Sequence, residues 1–356
     1  MRLLNITAST LYSAGFQQGE MAKAEIQIWL AGSEMSALAA FAFNDPIGSK
    51  AFAQIKSTTS AAFPALVDEL VGLSEGAEVP LDQIWVANMI AELDPLLPKI
   101  EGEKVQGHCT DVFAHSSSNG GSLHGHNEDW SEEAKPLWYY VSLRPEGDDA
   151  DFVECAGLAY PGSLLAYAPA WNAHGIYQTQ NTLFPNNTRS NGLACSFVQR
   201  AALCSDETTS INAYLDRLQS RGGWASGASL NLVDLNTGAM ANAEVLLDDM
   251  DVFHVSDNYT HTNEFKHLEE GMEVDLREDS ATHREARLSA MDKPESIEMI
   301  GKMLGDEQDV DFPVYRTTTL TSSLLDATTG CLQVWDGKNP AEVDPDWEWN
   351  IKEWFA

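Results

Sequence analysis

Positive charge is scarce in this chain. Its 356 residues include 21 Lys and Arg against 54 Asp and Glu, a formal net charge of −33. A surface so acidic repels phosphate backbones and anionic lipid, so neither nucleic acid nor a membrane is expected as a partner. It draws cations weakly, and the same acidity serves solubility in salt. Long apolar runs are missing too. The stretch 37–43 is far short of the ~20 residues of a spanning helix, and residues 1–15 lack the apolar core of a signal peptide. The expectation is a cytoplasmic protein. Cysteine is limited to Cys109, Cys155, Cys195, Cys204 and Cys331. An odd number with no CxxC spacing argues against a disulfide framework and for a reducing setting with a thiol available for chemistry.

Several motifs are absent. Without GxSxG, HExxH, GxxxxGK[ST] or GxGxxG, the usual support for nucleophile-elbow, zincin, P-loop and dinucleotide chemistry is gone. A metal centre can be drawn from His124, His126 and Asp129, because alternate strand residues share a face. A polar strand end is the plainer reading, so neither a metal nor a cofactor is expected.

What is present divides near residue 108. The first hundred residues read as helical. Good helix formers run from Gly15 to Leu30, and Leu66, Leu70 and Leu73 recur at helical spacing with Gly76 placed to end that helix. Pro80 starts another helix, with Leu81, Trp85, Met89 and Leu93 on one face. No strand is expected before residue 105. After Gly107 the pattern alternates. Strands are predicted over 109–115 and 122–127, joined by a turn containing Asn119-Gly120. More follow over 137–143, 151–155, 175–181, 228–235 and 239–246, and a last hairpin pairs 317–325 with 331–335. Helices are predicted over 195–204, 210–219 and 283–304. Strands in runs, separated by helices, indicate an α+β layered fold. The aromatic tail (Trp347, Trp349, Trp354, Phe355) is expected to pack onto the body.

The chemistry-bearing residues gather around Cys109, in Gly107-His108-Cys109-Thr110-Asp111 and, past the hairpin, Gly125-His126-Asn127-Glu128-Asp129-Trp130. A cysteine at the start of a strand is ordinarily a small buried hydrophobe. Its position at the helical–sheet junction gives it another use. Were the peptide bond before it cut, Cys109 would carry both a thiol and an α-amine of pKa about 7.7–8.0, nucleophile and base in one residue.

With these blocks the chain resembles the acyl-coenzyme A:isopenicillin N acyltransferase family of N-terminal nucleophile (Ntn) hydrolases, relatives of choloylglycine hydrolase. The likeness includes Gly15 to Gly19, Asp68 to Leu81, Cys109-Thr110, Gly125 to Trp130, Asn172 to Ile176, Asn181-Thr182-Leu183, Ser229-Leu230-Asn231, Glu244, His261-Thr262-Asn263, and Ser280 with Arg284 and Arg287. It implies a four-layer αββα sandwich. Residues 1–108 would be a helical propeptide that becomes the small chain, and 109–356 the body carrying the nucleophile. Cys109 would be nucleophile and cleavage point, after His108. Asp129 would bind the new amine, and Asn231 and Asn181 would serve the oxyanion. His126, Ser280 and Arg284 would meet the substrate. The family mostly has Gly where this chain has His108, which bears on self-cleavage. The His126 to Asp129 pattern is similar to that of the β-alanyl-amine hydrolases. The expected partners are a small-molecule amide and the chain's own cleaved N-terminal fragment. The resemblance leaves three activities open: an amidohydrolase working through an acyl-thioester, an acyl-coenzyme A-dependent N-acyltransferase, and a non-catalytic binding relative.

Overall fold

The computed structural model describes residues 2–97, 109–118, 120–147, 150, 152–183, 185, 188–219, 221–268 and 278–356; His108 lies outside them. The chain begins with a strand, β1 (Leu3–Ala8), in which Leu4, Ile6 and Ala8 are buried and Leu3, Asn5 and Thr7 exposed. This corrects the expectation of an entirely helical first segment, since a period of two over six residues is a half-buried strand. Helices follow at α1 (Leu11–Met21), α2 (Lys23–Ala31), α3 (Ser33–Asn44), α4 (Pro46–Ala62), α5 (Pro64–Ala77), α6 (Leu81–Ala87) and α7 (Ile90–Leu93). Reciprocal bonds between Thr10 and Ser13 cap α1.

Helices α1 and α5 cross at glycines on both sides. A Cβ on Gly15 would overlap the Glu69 carbonyl, one on Gly19 the Leu73 carbonyl, one on Gly72 the Tyr12 carbonyl and one on Gly76 the Phe16 carbonyl. Gly76 therefore does not end its helix, as its spacing suggested. Glu78 does, as a left-handed C-cap with φ 56°.

The body supplies β2 (Thr110–His115), β3 (Ser122–Asp129), β4 (Tyr139–Pro145), β5 (Cys155–Ala159), β6 (Ala170–Asn172), β7 (Ile176–Leu183), α8 (Cys195–Leu203) and α9 (Ile211–Gln219). After these come β8 (Gly227–Asp234), β9 (Met240–Leu246), β10 (Asp249–Val255), β11 (Tyr259–His261), α10 (Glu278–Ser289), α11 (Ile297–Leu304), β12 (Thr319–Asp326), β13 (Cys331–Asp336) and β14 (Trp347–Asn350). Among the described residues they form an eight-stranded sheet, β1-β4-β5-β6-β7-β8-β9-β10, and a six-stranded sheet, β11-β2-β3-β12-β13-β14. β1 pairs parallel with β4 at one edge of the first sheet.

The order of layers is helix, sheet, sheet, helix, the αββα sandwich. α8 and α9 cover the outer face of the eight-stranded sheet, where Gln199 and Tyr214 bond Gln178 of β7. α11 covers the outer face of the six-stranded sheet, and with α10 it encloses a separate apolar cluster of Val112, Leu123, Leu288, Ile300, Leu304 and Leu324. Part of the space between the sheets is aromatic. Tyr140 of β4 meets Trp349 of β14 at 4.8 Å, and Trp171 of β6 meets Trp354 at 5.3 Å. The tail thus closes one part of the sandwich, as its composition predicts.

Cys155 on β5 and Cys204 after α8 form a disulfide. This corrects the expectation drawn from the odd cysteine count; the two residues are 49 apart in sequence, and only the fold brings them together. No single described helix is long and apolar enough to cross a membrane.

Candidate active site

The site lies between the sheets, on the hairpin of β2 and β3. Gly120, at a φ of 70°, turns that hairpin. The strands pair Asp111 with His126 and Phe113 with His124. Alternation sends Asp111, His124, His126 and Glu128 toward the eight-stranded sheet and Thr110, Asn127 and Asp129 toward α10 and α11. Gly125 leaves room for the covering helix, since a Cβ there would press on Ile300, Leu304 and Leu324.

On the inward face Cys109 is 5% exposed, and its thiol donates to Glu128 Oε1 at 3.8 Å. The Tyr160 hydroxyl donates to the same oxygen at 2.6 Å. His126 bridges two acids, with Nδ1 2.9 Å from Asp111 Oδ2 and Nε2 3.0 Å from Glu128 Oε2. Asp111 is saturated: it also bonds His124 Nε2 at 2.9 Å, the Thr179 hydroxyl, and Asn181 Nδ2 at 2.8 Å. Asn231 Nδ2 donates to Asn181 Oδ1 at 2.8 Å, and Asn242 Nδ2 to Asn231 Oδ1 at 2.9 Å. One buried polar chain thus runs from Cys109 on one sheet to Asn242 on the other.

The electrostatics follow from burial and these pairings. Burial alone would raise the Asp111 carboxyl, but His126 and His124 hold it well below its ordinary value. Burial works against charge on His126, yet Asp111 and the Cys109 and Glu128 bonds raise it well above the usual imidazole range. Burial lowers His124 in spite of Asp111. The Cys109 thiol is pushed up to about 12, first by burial and then by the Glu128 carboxylate. Both effects favour the protonated thiol over the thiolate.

Opposite the sulfur, Arg284 of α10 donates to the Cys109 carbonyl and to Thr110 Oγ1, both at 2.7 Å, and to Asn263 Oδ1 at 2.8 Å. Burial lowers this guanidinium to about 9. Ser280, one turn earlier, accepts from Arg284 Nε at 3.3 Å. Asp129 is fully buried on this side. Neither of its oxygens has a hydrogen-bond partner among the described residues, and Arg316 Nε lies 3.4 Å from Oδ2. Burial raises its carboxyl against the pull of Arg316.

The expected residues therefore fall into two groups about Cys109. His126, Asn181 and Asn231 lie on the sulfur side. Asp129, Ser280 and Arg284 lie on the main-chain side. Arg284 holds the Cys109 carbonyl, and Ser280 bonds Arg284. His124 and His126 share a face, whereas Asp129 is on the other, so the trio His124, His126 and Asp129 is not a metal site. Cys109 Sγ, His126 and Glu128 do bring one ligand atom each within 4.8 Å of one another and could hold a cation.

Residues 116–339 match the model of the acyl-coenzyme A:6-aminopenicillanic acid acyl-transferase family. The chain belongs to that family. Within this acyl-transferase framework it is 24% identical over 372 residues to the β-alanyl-dopamine/carcinine hydrolase of Drosophila melanogaster, covering 95% of this chain and 93% of that protein. Two structures of conjugated bile acid hydrolase from Clostridium perfringens align at 14% and 13% identity, with TM-scores of 0.39 and 0.38. Each covers 64% of this chain and 89% of that one. Asp111, Glu128 and Tyr160 are the site residues that sequence reasoning missed in this member of the acyl-transferase family. Alternation from Cys109 puts Asp111 on its face, and the His-x-Glu spacing puts Glu128 beside His126; those signals were available.

Proposed function

We propose that this protein is an amide hydrolase in which Cys109, freed at its amino end by self-cleavage, is the nucleophile. The observation that carries this reading is the placement of Cys109. Its sulfur lies in a buried polar cluster between the sheets, and its carbonyl is held by Arg284. Maturation begins when Cys109 Sγ attacks the His108 carbonyl carbon and the acyl group shifts from nitrogen to sulfur. Water cleaves that thioester and leaves a free α-amine on Cys109. Asp129 is buried and makes no close hydrogen bond, with Arg316 Nε 3.4 Å from Oδ2; buried carboxylates ordinarily find fuller partners, and the new ammonium would supply one.

In the mature protein that amine takes the thiol proton, Sγ bonds to the substrate carbonyl carbon, and the C–N bond breaks as the proton passes to the leaving amine. Water then hydrolyses the thioester to an acid and restores the thiol. Asn231 and Asn181 are the proposed oxyanion donors. Arg284 and Ser280 are positioning residues for the Cys109 main chain. A β-alanyl amide is the proposed substrate, on the strength of the full-length likeness to the Drosophila protein. The acyl-transferase family model supports a second reading, in which an amine rather than water takes the acyl group from Cys109.

On a denaturing gel the wild type should give fragments of 108 and 248 residues from its 356, while Cys109→Ala stays whole and hydrolyses nothing. Carcinine and an acyl-coenzyme A plus amine pair, assayed side by side, separate the two reactions. A single intact chain whose Cys109 resists thiol-directed acylation would instead mark a binding protein.

A further inference from the structure

The mechanism above uses the sulfur and its neighbouring amine but gives Glu128 no task. Its carboxylate nevertheless lies beside the nucleophile. Oε1 takes the Cys109 thiol at 3.8 Å and the Tyr160 hydroxyl at 2.6 Å, and Oε2 lies 3.0 Å from His126 Nε2. A carboxylate has about four acceptor positions, so these three donors leave one open. A second opens on acylation, because a thioester has no S–H to donate. The first atoms of an acyl group attached to Sγ lie beside this buried carboxylate, which has then lost a donor. A methyl-ended chain leaves Oε1 with the Tyr160 hydroxyl as its one remaining donor, one short of its two acceptor positions. A chain ending in an ammonium replaces the lost donor with a charged one.

We propose that Glu128, aligned by His126 and Tyr160, is a subsite for the ammonium of a short aminoacyl group carried on Cys109 Sγ. The inference rests on the reading of Cys109 as nucleophile and adds which acyl groups it accepts.

The test compares β-alanyl-histamine with butanoyl-histamine, in which a methyl group replaces the ammonium, on the wild type, Glu128→Gln and Glu128→Asp. The wild type should prefer the β-alanyl amide by about 10- to 100-fold in kcat/KM, the range of a buried charge-assisted hydrogen bond. Glu128→Gln should bring that ratio close to one by losing far more β-alanyl than butanoyl turnover, and its circular dichroism and melting curve show separately that it is folded. Glu128→Asp, one methylene shorter, should keep the preference for a cation and shift it toward a γ-aminobutyryl chain. A wild type that hydrolyses both amides equally overturns the subsite whatever the variants do. A wild-type preference unchanged in both variants removes Glu128 from it. Turnover of neither amide by a cleaved wild type sinks the proposed hydrolase itself and this inference with it.

Discussion

Asp111 accepts from His124, His126, Thr179 and Asn181 at once. Its replacement by Asn would take from His126 one of the two acids it bridges and leave Glu128 as the other, a loss toward the lower end of the ~3–5 kcal/mol of a broken buried pair. Urea denaturation of Asp111→Asn should show that loss, with amide turnover reduced because the imidazole is no longer oriented. The pH dependence has two opposed edges. The folded Asp111 carboxyl lies below its unfolded value, so its contribution is full above about pH 4 and fades as pH falls through the folded value. Folded His126 lies above its unfolded value, so its contribution is full below about pH 6.5 and fades as pH rises through the folded value. The pair therefore stabilises most between about pH 4 and 6.5. The melting temperature of the wild type should carry both edges, while Asp111→Asn should lose its share of the acid edge and show a weaker basic one; parallel profiles would contradict the pairing. At this scale the sequence was legible where chemistry depends on neighbours along a strand, as with Cys109 and His126. It was less legible where a partner comes from the facing sheet. That the Asn181 amide also bonds Asp111 of the facing sheet could not be read from the sequence.

Among the elements, the α1–α5 crossing is the tightest contact described. Its glycines meet backbone atoms rather than side-chain ends, so rotamer changes cannot relieve an added methyl. Gly72→Ala should cost about 3 kcal/mol, at the upper end of overpacking penalties, and should force the helices apart. Chemical denaturation measures this, and a loss no larger than that of an exposed helical Gly→Ala change would show the crossing to be compliant. The same glycines show why Gly76 misled: end-capping and close packing both call for glycine, and only the partner helix distinguishes them. The hairpins β2–β3, β8–β9 and β12–β13 were legible because alternation and turn residues occur together. The strands β6, β11 and β14 are short, three or four residues each. Such lengths carry too few alternations to stand out from loops. The predicted helix over 283–304 is in fact two, α10 and α11, and Ser296 caps the second.

Over the whole molecule the net charge of −33 makes the folded chain repel itself. Exposed pairs such as Arg189 with Asp248 and Lys293 with Asp257 offset little of this. Screening reaches about 10 Å at 0.1 M salt, so the melting temperature should rise as sodium chloride is added from low ionic strength, and calorimetry across a salt series checks it. A fall would mean that attractive surface pairs outweigh the general repulsion.

The parallel pairing of β1 with β4 sets an order of events. Leu3 to Ala8 can find its place only after Tyr139 to Pro145 has been made, so the eight-stranded sheet joins the beginning of the chain to a stretch well past residue 109. Any scission between them divides a polymer whose two pieces are already interleaved. Were the proposed cut made before Cys109, the released segment would stay in place as a wall of the sandwich, and a cut made only in the finished fold would certify that assembly was complete.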